Sequence, residues 1–166
     1  MHHLYLRRQK QDDQRVQYTY QFDDHGLSPA NQILTRLFRQ MILAVEESLT
    51  TIEVEYVDVF LAKQLGSERA KQLLSLLGAK KENIVENKKG EVVLSRIFQA
   101  PLTEEALHYF KRIQDLEELS AYALCSVEEK KVEVYFAKFM RVNVNPMEEE
   151  RFFQLLDEDR IRYKVV

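Results

Sequence analysis

Two periodicities alternate along the chain. Leu4 and Leu6, then Val16, Tyr18, Tyr20 and Phe22, alternate with polar residues, the period-2 signature of strands with one buried face. The polar stretch Gln9 to Gln14 between them reads as a hairpin loop. From Ile33 to Val45 the spacing turns helical, with Ile33, Leu34, Leu37, Phe38, Met41, Ile42 and Val45 on one face. Ser28 is expected to cap this helix, with Pro29 in its first turn. Alternation resumes from Thr50 to Lys63 and changes phase between Ile52/Val54/Tyr56 and Val57/Val59/Leu61. A slip of one residue flips the buried face, so a bulge is expected near Tyr56-Val57. Ser67 is expected to cap a second helix through Leu77, with Gly78 in the left-handed position after it.

The second half replays this order. Asn83 to Asn87 and Glu91 to Phe98 flank the turn-like Lys88-Lys89-Gly90 and predict another hairpin. Pro101-Leu102-Thr103-Glu104-Glu105 opens a helix bearing Ala106, Tyr109, Phe110, Ile113 and Leu116. Residues 119–125 fit either the end of that helix or a short strand. Lys131 to Val144 reads as one long strand, Glu150 to Leu156 as a final helix, and Ile161 to Val166 as a closing strand.

The chain also echoes itself. Val57-Asp58-Val59-Phe60-Leu61-Ala62-Lys63 returns from position 132 as Val132-Glu133-Val134-Tyr135-Phe136-Ala137-Lys138, with four identities and three conservative exchanges. The same shift aligns Leu27-Ser28 with Leu102-Thr103. Glu68 to Leu74 matches Glu150 to Leu156 once Arg141 to Met147 is treated as an insertion. Three collinear echoes point to an internal duplication of a β-hairpin–helix–strand–helix unit, residues 1–79 and 80–166, packed as one globular unit. The fold class expected is α+β. From Thr50 to Lys138 the order is βαββαβ, the ferredoxin-like arrangement, with antiparallel pairing and helices packed on one face of the sheet.

Composition narrows the function classes. At 166 residues, 45% hydrophobic and 31% charged, the chain has the make-up of an ordinary globular protein. A net charge of −3 argues against a nonspecific polyanion binder. One cysteine, Cys125, excludes an intramolecular disulfide and a multi-cysteine zinc site, and favours a cytoplasmic location. The N-terminal residues carry no apolar run after their charges, so neither a signal peptide nor a membrane anchor is expected. His2-His3 fits a native start and an added tag equally.

Candidate chemistry is sparse. Asp58 and Glu133 occupy equivalent places in the echo, beside Phe60 and Tyr135. Brought to one cleft between the repeats, the two carboxylates would suit ligand binding or general acid–base work. Set on separate solvated faces, they would do neither. Lys63 and Lys138, the matching cations, suit either an anion site or edge protection. His2, His3, His25 and His108 lack metal-ligand spacing, and no cofactor or metal is expected. The glycines form no phosphate loop, and no serine lies in a nucleophile-elbow setting. Arg7, Arg8, Lys10 and Arg15 surround the first hairpin loop, and Lys80, Lys81, Lys88 and Lys89 the second, with Tyr5, Tyr18 and Tyr20 nearby. Asp12, Asp13, Asp23 and Asp24 dilute that patch. Phe152 and Phe153 stand opposite Ala70 and Lys71 of the echo, and this divergence marks the last helix as a partner surface.

The expectation is therefore a non-enzymatic interaction or regulatory module, monomeric or homodimeric. Its partner would be a protein or a small ligand. The alternatives are a small-ligand-binding protein or enzyme using the inter-repeat cleft, and a weak nucleic-acid binder through the basic hairpin loops.

Overall fold

The computed structural model describes residues 3–166, so His2 lies outside the described residues. The N-terminal alternating segments form a hairpin, β1 (Leu4–Asp12) and β2 (Arg15–Gln21), whose strands run further into the expected loop than polarity alone suggests. Then come α1 (Gln32–Val45), β3 (Thr51–Tyr56), α2 (Asp58–Leu65) and α3 (Ser67–Leu76). The second half gives β4 (Val85–Lys89), β5 (Val92–Pro101), α4 (Glu104–Lys111), β6 (Ala121–Cys125), β7 (Lys130–Tyr135) and β8 (Phe139–Val144). It closes with α5 (Pro146–Glu158) and β9 (Tyr163–Val165).

Among the described residues, nine strands join one mixed sheet in the order β4-β5-β3-β6-β7-β8-β2-β1-β9. Pairing is antiparallel throughout, except that β9 runs parallel to β1. The α+β class holds. The sheet is larger than the ferredoxin-like expectation, and the two halves interleave within it. Strand β3 of the first half lies between β5 and β6 of the second, while β2 lies against β8.

Register explains which face is buried. Phe98, Val54, Tyr122, Val134, Met140 and Tyr20 align as one row across six strands, and Ala100, Ile52, Leu124, Val132, Val142 and Tyr18 as the next. Both rows belong to the core, in which α1 packs on α5, α4, β7 and β8. Each fully buried large side chain there contributes roughly 1.5–3 kcal/mol. On the opposite face the corresponding row is polar: Gln99, Glu53, Ala123, Glu133, Arg141, Thr19 and Arg7.

The seven-residue echo takes two structures. Its second copy is β7 and the turn after it, as alternation predicts, but its first copy is α2. The phase change at Tyr56-Val57 is therefore the end of a strand and the start of a helix, with no bulge. The residues after each copy decide its structure. Leu61-Ala62-Lys63-Gln64-Leu65 are strong helix formers, Asp58 favours the first turn electrostatically, and Gly66 ends the helix at φ +82°. After Lys138, Phe139 to Val144 alternates again and pairs back as β8. The expected single strand 131–144 is thus a hairpin, and the supposed insertion is the end of β8 with the start of α5.

Helix ends bring further corrections. Asn31, not Ser28, caps α1 by accepting the Ile33 N–H at 3.0 Å. Ser67 is the first residue of α3 and caps nothing. Thr103 caps α4, Gly78 takes the left-handed place after α3 as expected, and residues 121–125 are strand.

Candidate functional site

The β7–β8 turn puts an aromatic ring where the backbone resists it. Phe136 (φ +46°) and Ala137 (φ +51°) are consecutive left-handed residues, a geometry that favours Asn and Gly. Two hydrogen bonds hold the turn: Lys138 N–H donates to the Tyr135 carbonyl, and Phe136 N–H to the Ser120 carbonyl, both at 2.8 Å. Held there, Phe136 lines a cleft of about 490 Å³.

Three other segments complete the cleft. Tyr56 lines it from the end of β3. Phe60, Leu61, Lys63 and Gln64 come from α2, and Glu117, Glu118, Leu119 and Ser120 from the segment leading into β6. Gln64 Nε2 donates to the Glu117 carbonyl at 3.3 Å, tying α2 to that segment. Beneath it, the buried Tyr122 hydroxyl donates to the Leu116 carbonyl at 2.8 Å. Phe60 is 62% exposed, its neighbour Val59 71%, and Phe136 38%. Among the described residues, neither Glu117 nor Glu118 forms an ion pair.

Burial shapes the cleft's chemistry. It pushes the Glu118 carboxyl above its ordinary value, against the lowering pull of Tyr109 and Arg69. It pushes the Tyr109 hydroxyl much further up, with the Glu118 charge adding to the effect. The Tyr56 hydroxyl is raised in turn by burial and by the charge of Asp58.

The structure separates the expected carboxylate pair. Asp58 opens α2 and accepts from Arg96 Nε at 2.8 Å, outside the cleft. Glu133 is buried on the polar face of the sheet, with Arg141 at 2.6 Å and Lys130 at 3.4 Å. Arg141 approaches off the hydrogen-bond line, so the contact is ionic rather than directed. Each carboxylate therefore has its own cation, Arg96 for Asp58 and Arg141 with Lys130 for Glu133, and two strands, β3 and β6, lie between the Arg96 strand and β7. Of the other two expected residues, Phe60 lines the cleft, while Tyr135 stacks on Phe139 at 5.4 Å and meets Phe136 edge-on at 4.8 Å. Lys63 also reaches the cleft, whereas Lys138 sits over the Tyr135 ring.

Phe152 is fully buried, so its ring offers no surface to a partner. Phe153 is partly buried and packed between Tyr18 at 5.1 Å and Tyr163 at 5.3 Å. The basic hairpins lie toward opposite ends of the sheet, and Arg7, Lys10, Arg15 and Lys88 are already paired with carboxylates. Burial raises the Cys125 thiol, which weakens it as a nucleophile.

A wider hollow of about 780 Å³ lies between the β1–β2 turn and residues 126–129. Its walls are mostly charged and polar, and ion pairs such as Arg15–Glu129 and Lys131–Glu148 cross it. Among the described residues, no cluster of three or more His, Cys, Asp or Glu suits a metal, and no helix is long and apolar enough to cross a membrane.

Phe136, Glu117, Glu118 and Ser120 escape a reading of the sequence. One signal for Phe136 was present, because a run from 131 to 144 exceeds an ordinary strand and has room for a turn. That turn has no Gly, Asn or Pro to mark it. Comparison with family models, curated proteins and solved structures finds no match for the chain.

Proposed function

We propose that this protein is a non-enzymatic interaction module whose guest enters the cleft between α2, residues 117–120 and the β7–β8 turn. The observation that carries this reading is the Phe136 ring, held at the cleft by a left-handed backbone opposite an aromatic, Phe60, that is left mostly in water. Backbone strain concentrates where a side chain must be aimed. Exposed aromatics around a concavity are the usual anchors of recognition. The cleft wall contains hydroxyls, amide, ammonium and carboxyls but no histidine and no nucleophile–base pair. Binding therefore suits it better than catalysis.

A set of small fragments, cationic, neutral and anionic, tests this by amide chemical-shift mapping. The expected result is that at least one class shifts Phe60, Ser120 and Phe136 together, and that Phe136→Gly abolishes the shifts while preserving the fold. If no class perturbs the cleft at millimolar concentration, the reading fails.

The duplication belongs to this proposal too, in altered form. Its support is the shared order hairpin–helix–strand, β1-β2-α1-β3 and β4-β5-α4-β6, rather than the divergent echo. A cytoplasmic setting rests on the lone Cys125 and the lack of any disulfide partner for it.

A further inference from the structure

The cleft's charge and shape narrow its guest, an inference that rests on the cleft being a binding site. Three aromatic residues, Tyr56, Phe60 and Phe136, line it together with two carboxylates and one ammonium. Aromatic faces carry negative potential and attract cations, more strongly where water is partly excluded. The carboxylates act in the same direction. Glu118 is partly buried, and burial raises its carboxyl against the pull of Tyr109 and Arg69. Lys63 is exposed on a flexible stem and free to swing outward. Arg69 and Asp115, which act on Glu118 from outside the cleft wall, offset one another, so the balance stays at one net negative charge among aromatic walls, which disfavours an anion.

We infer that the cleft binds the guanidinium of an arginine side chain presented by a partner polypeptide. A planar cation can stack on an aromatic face while its N–H groups reach Glu117, Glu118 and the Ser120 hydroxyl. An ammonium lacks that flat face. A polypeptide source suits the site better than a free small cation, because Val59 projects into solvent beside Phe60. An apolar residue next to the arginine covers that strip.

Isothermal titration and amide-shift mapping use three probes: N-acetyl-arginine amide, its neutral isostere N-acetyl-citrulline amide, and an acetylated Leu-Arg-Leu peptide. Arginine amide is expected to shift Phe60, Ser120 and Phe136, and citrulline amide to bind at least tenfold more weakly. Leu-Arg-Leu is expected to bind tighter than arginine amide. Glu117→Gln and Glu118→Gln, which preserve shape, are each expected to weaken arginine binding about tenfold. Citrulline binding equal to arginine overturns the cation, and an unimproved Leu-Arg-Leu overturns the polypeptide source. Neutral or anionic fragments entering the cleft while arginine does not would reject this inference and leave the binding site standing. No fragment entering would reject both.

Discussion

The Phe136 N–H donates to the Ser120 carbonyl at 2.8 Å, joining the left-handed turn to the segment that carries Glu117 and Glu118. Both partners also line the cleft, so one hydrogen bond sets the relation between its aromatic and acidic parts. A non-glycine residue in the left-handed region is disfavoured by roughly 1–2 kcal/mol. That strain persists only because the hairpin and this bond over-determine the turn.

Ala137 gives the cleanest test of the strain. At φ +51° it gains nothing evident from its methyl group, and it is absent from the cleft wall. Ala137→Gly is expected to stabilise the protein by up to about 1 kcal/mol, the strain relieved less the extra chain entropy of glycine. Chemical denaturation of both proteins measures this. A destabilised Ala137→Gly would show that the turn is not strained.

The ends of α3 and α5 make a matched pair. After α3, Ala79 N–H donates to the Leu74 carbonyl and Gly78 N–H to that of Ser75. After α5, Ile161 N–H donates to Leu156 and Arg160 N–H to Asp157 in the same pattern. The left-handed residue is Gly78 in one and Arg160, at φ +56°, in the other. Arg160→Gly is expected to stabilise by about 0.5–1 kcal/mol. Gly78→Ala is expected to destabilise by more than about 1 kcal/mol, since its new methyl would also stand 2.8 Å from the Ala100 Cβ. Thermal melts showing the same sign for both would refute the comparison.

Buried tyrosines set an alkaline limit. Burial pushes Tyr18 up to about 12, helped by its bond to Glu149 at 2.7 Å, and pushes Tyr20 up to about 12 as well, helped by Asp24. In the unfolded chain both ionise near 10.0. Between those values the folded state holds protons that the unfolded state has released. Stability from these groups is therefore complete below pH 10 and falls as pH rises toward 12. Tyr20→Phe is expected to flatten that decline, as read by unfolding free energies across the range. An unchanged slope would remove Tyr20 from the explanation.

Local rules make some elements legible in the sequence, and context decides the others. Alternation at 51–56 and helical spacing at 33–45 each reflect one buried face per element, and both are readable residue by residue. Asp58 to Leu65 is not, because Val57-Asp58-Val59-Phe60 suits a strand as well as a helix. The choice falls to the helix formers after it and to Gly66, which ends the helix. Sheet order is equally hidden, since nothing local says that β3 enters between β5 and β6. Phe60 reads in the sequence as a binding residue on a strand, and it reaches the cleft from a helix instead. Glu117 and Glu118 carry no pattern at all, and only the packing of α2 beside residues 117–120 gives them a site.

Glu118 joins stability to binding. Its carboxyl is raised above 4.5, the value of an unburied glutamate, chiefly by burial. Below about pH 4 the group is protonated folded or unfolded, and its ionisation then has no effect on stability. As pH rises through the folded value, the unfolded chain ionises more readily and the folded state loses stability. Glu118→Gln removes that penalty while preserving shape. At about pH 7 the variant is expected to melt about 1–2 °C higher than the parent, with the gap closing as pH falls below the ordinary glutamate value. A saturating arginine amide is expected to reverse the order, because the guest compensates the very charge whose burial destabilises the empty protein. Melts at two pH values, with and without arginine amide, separate these effects. A variant less stable than the parent at neutral pH without ligand would mean that Tyr109 and Arg69 already compensate Glu118 in full.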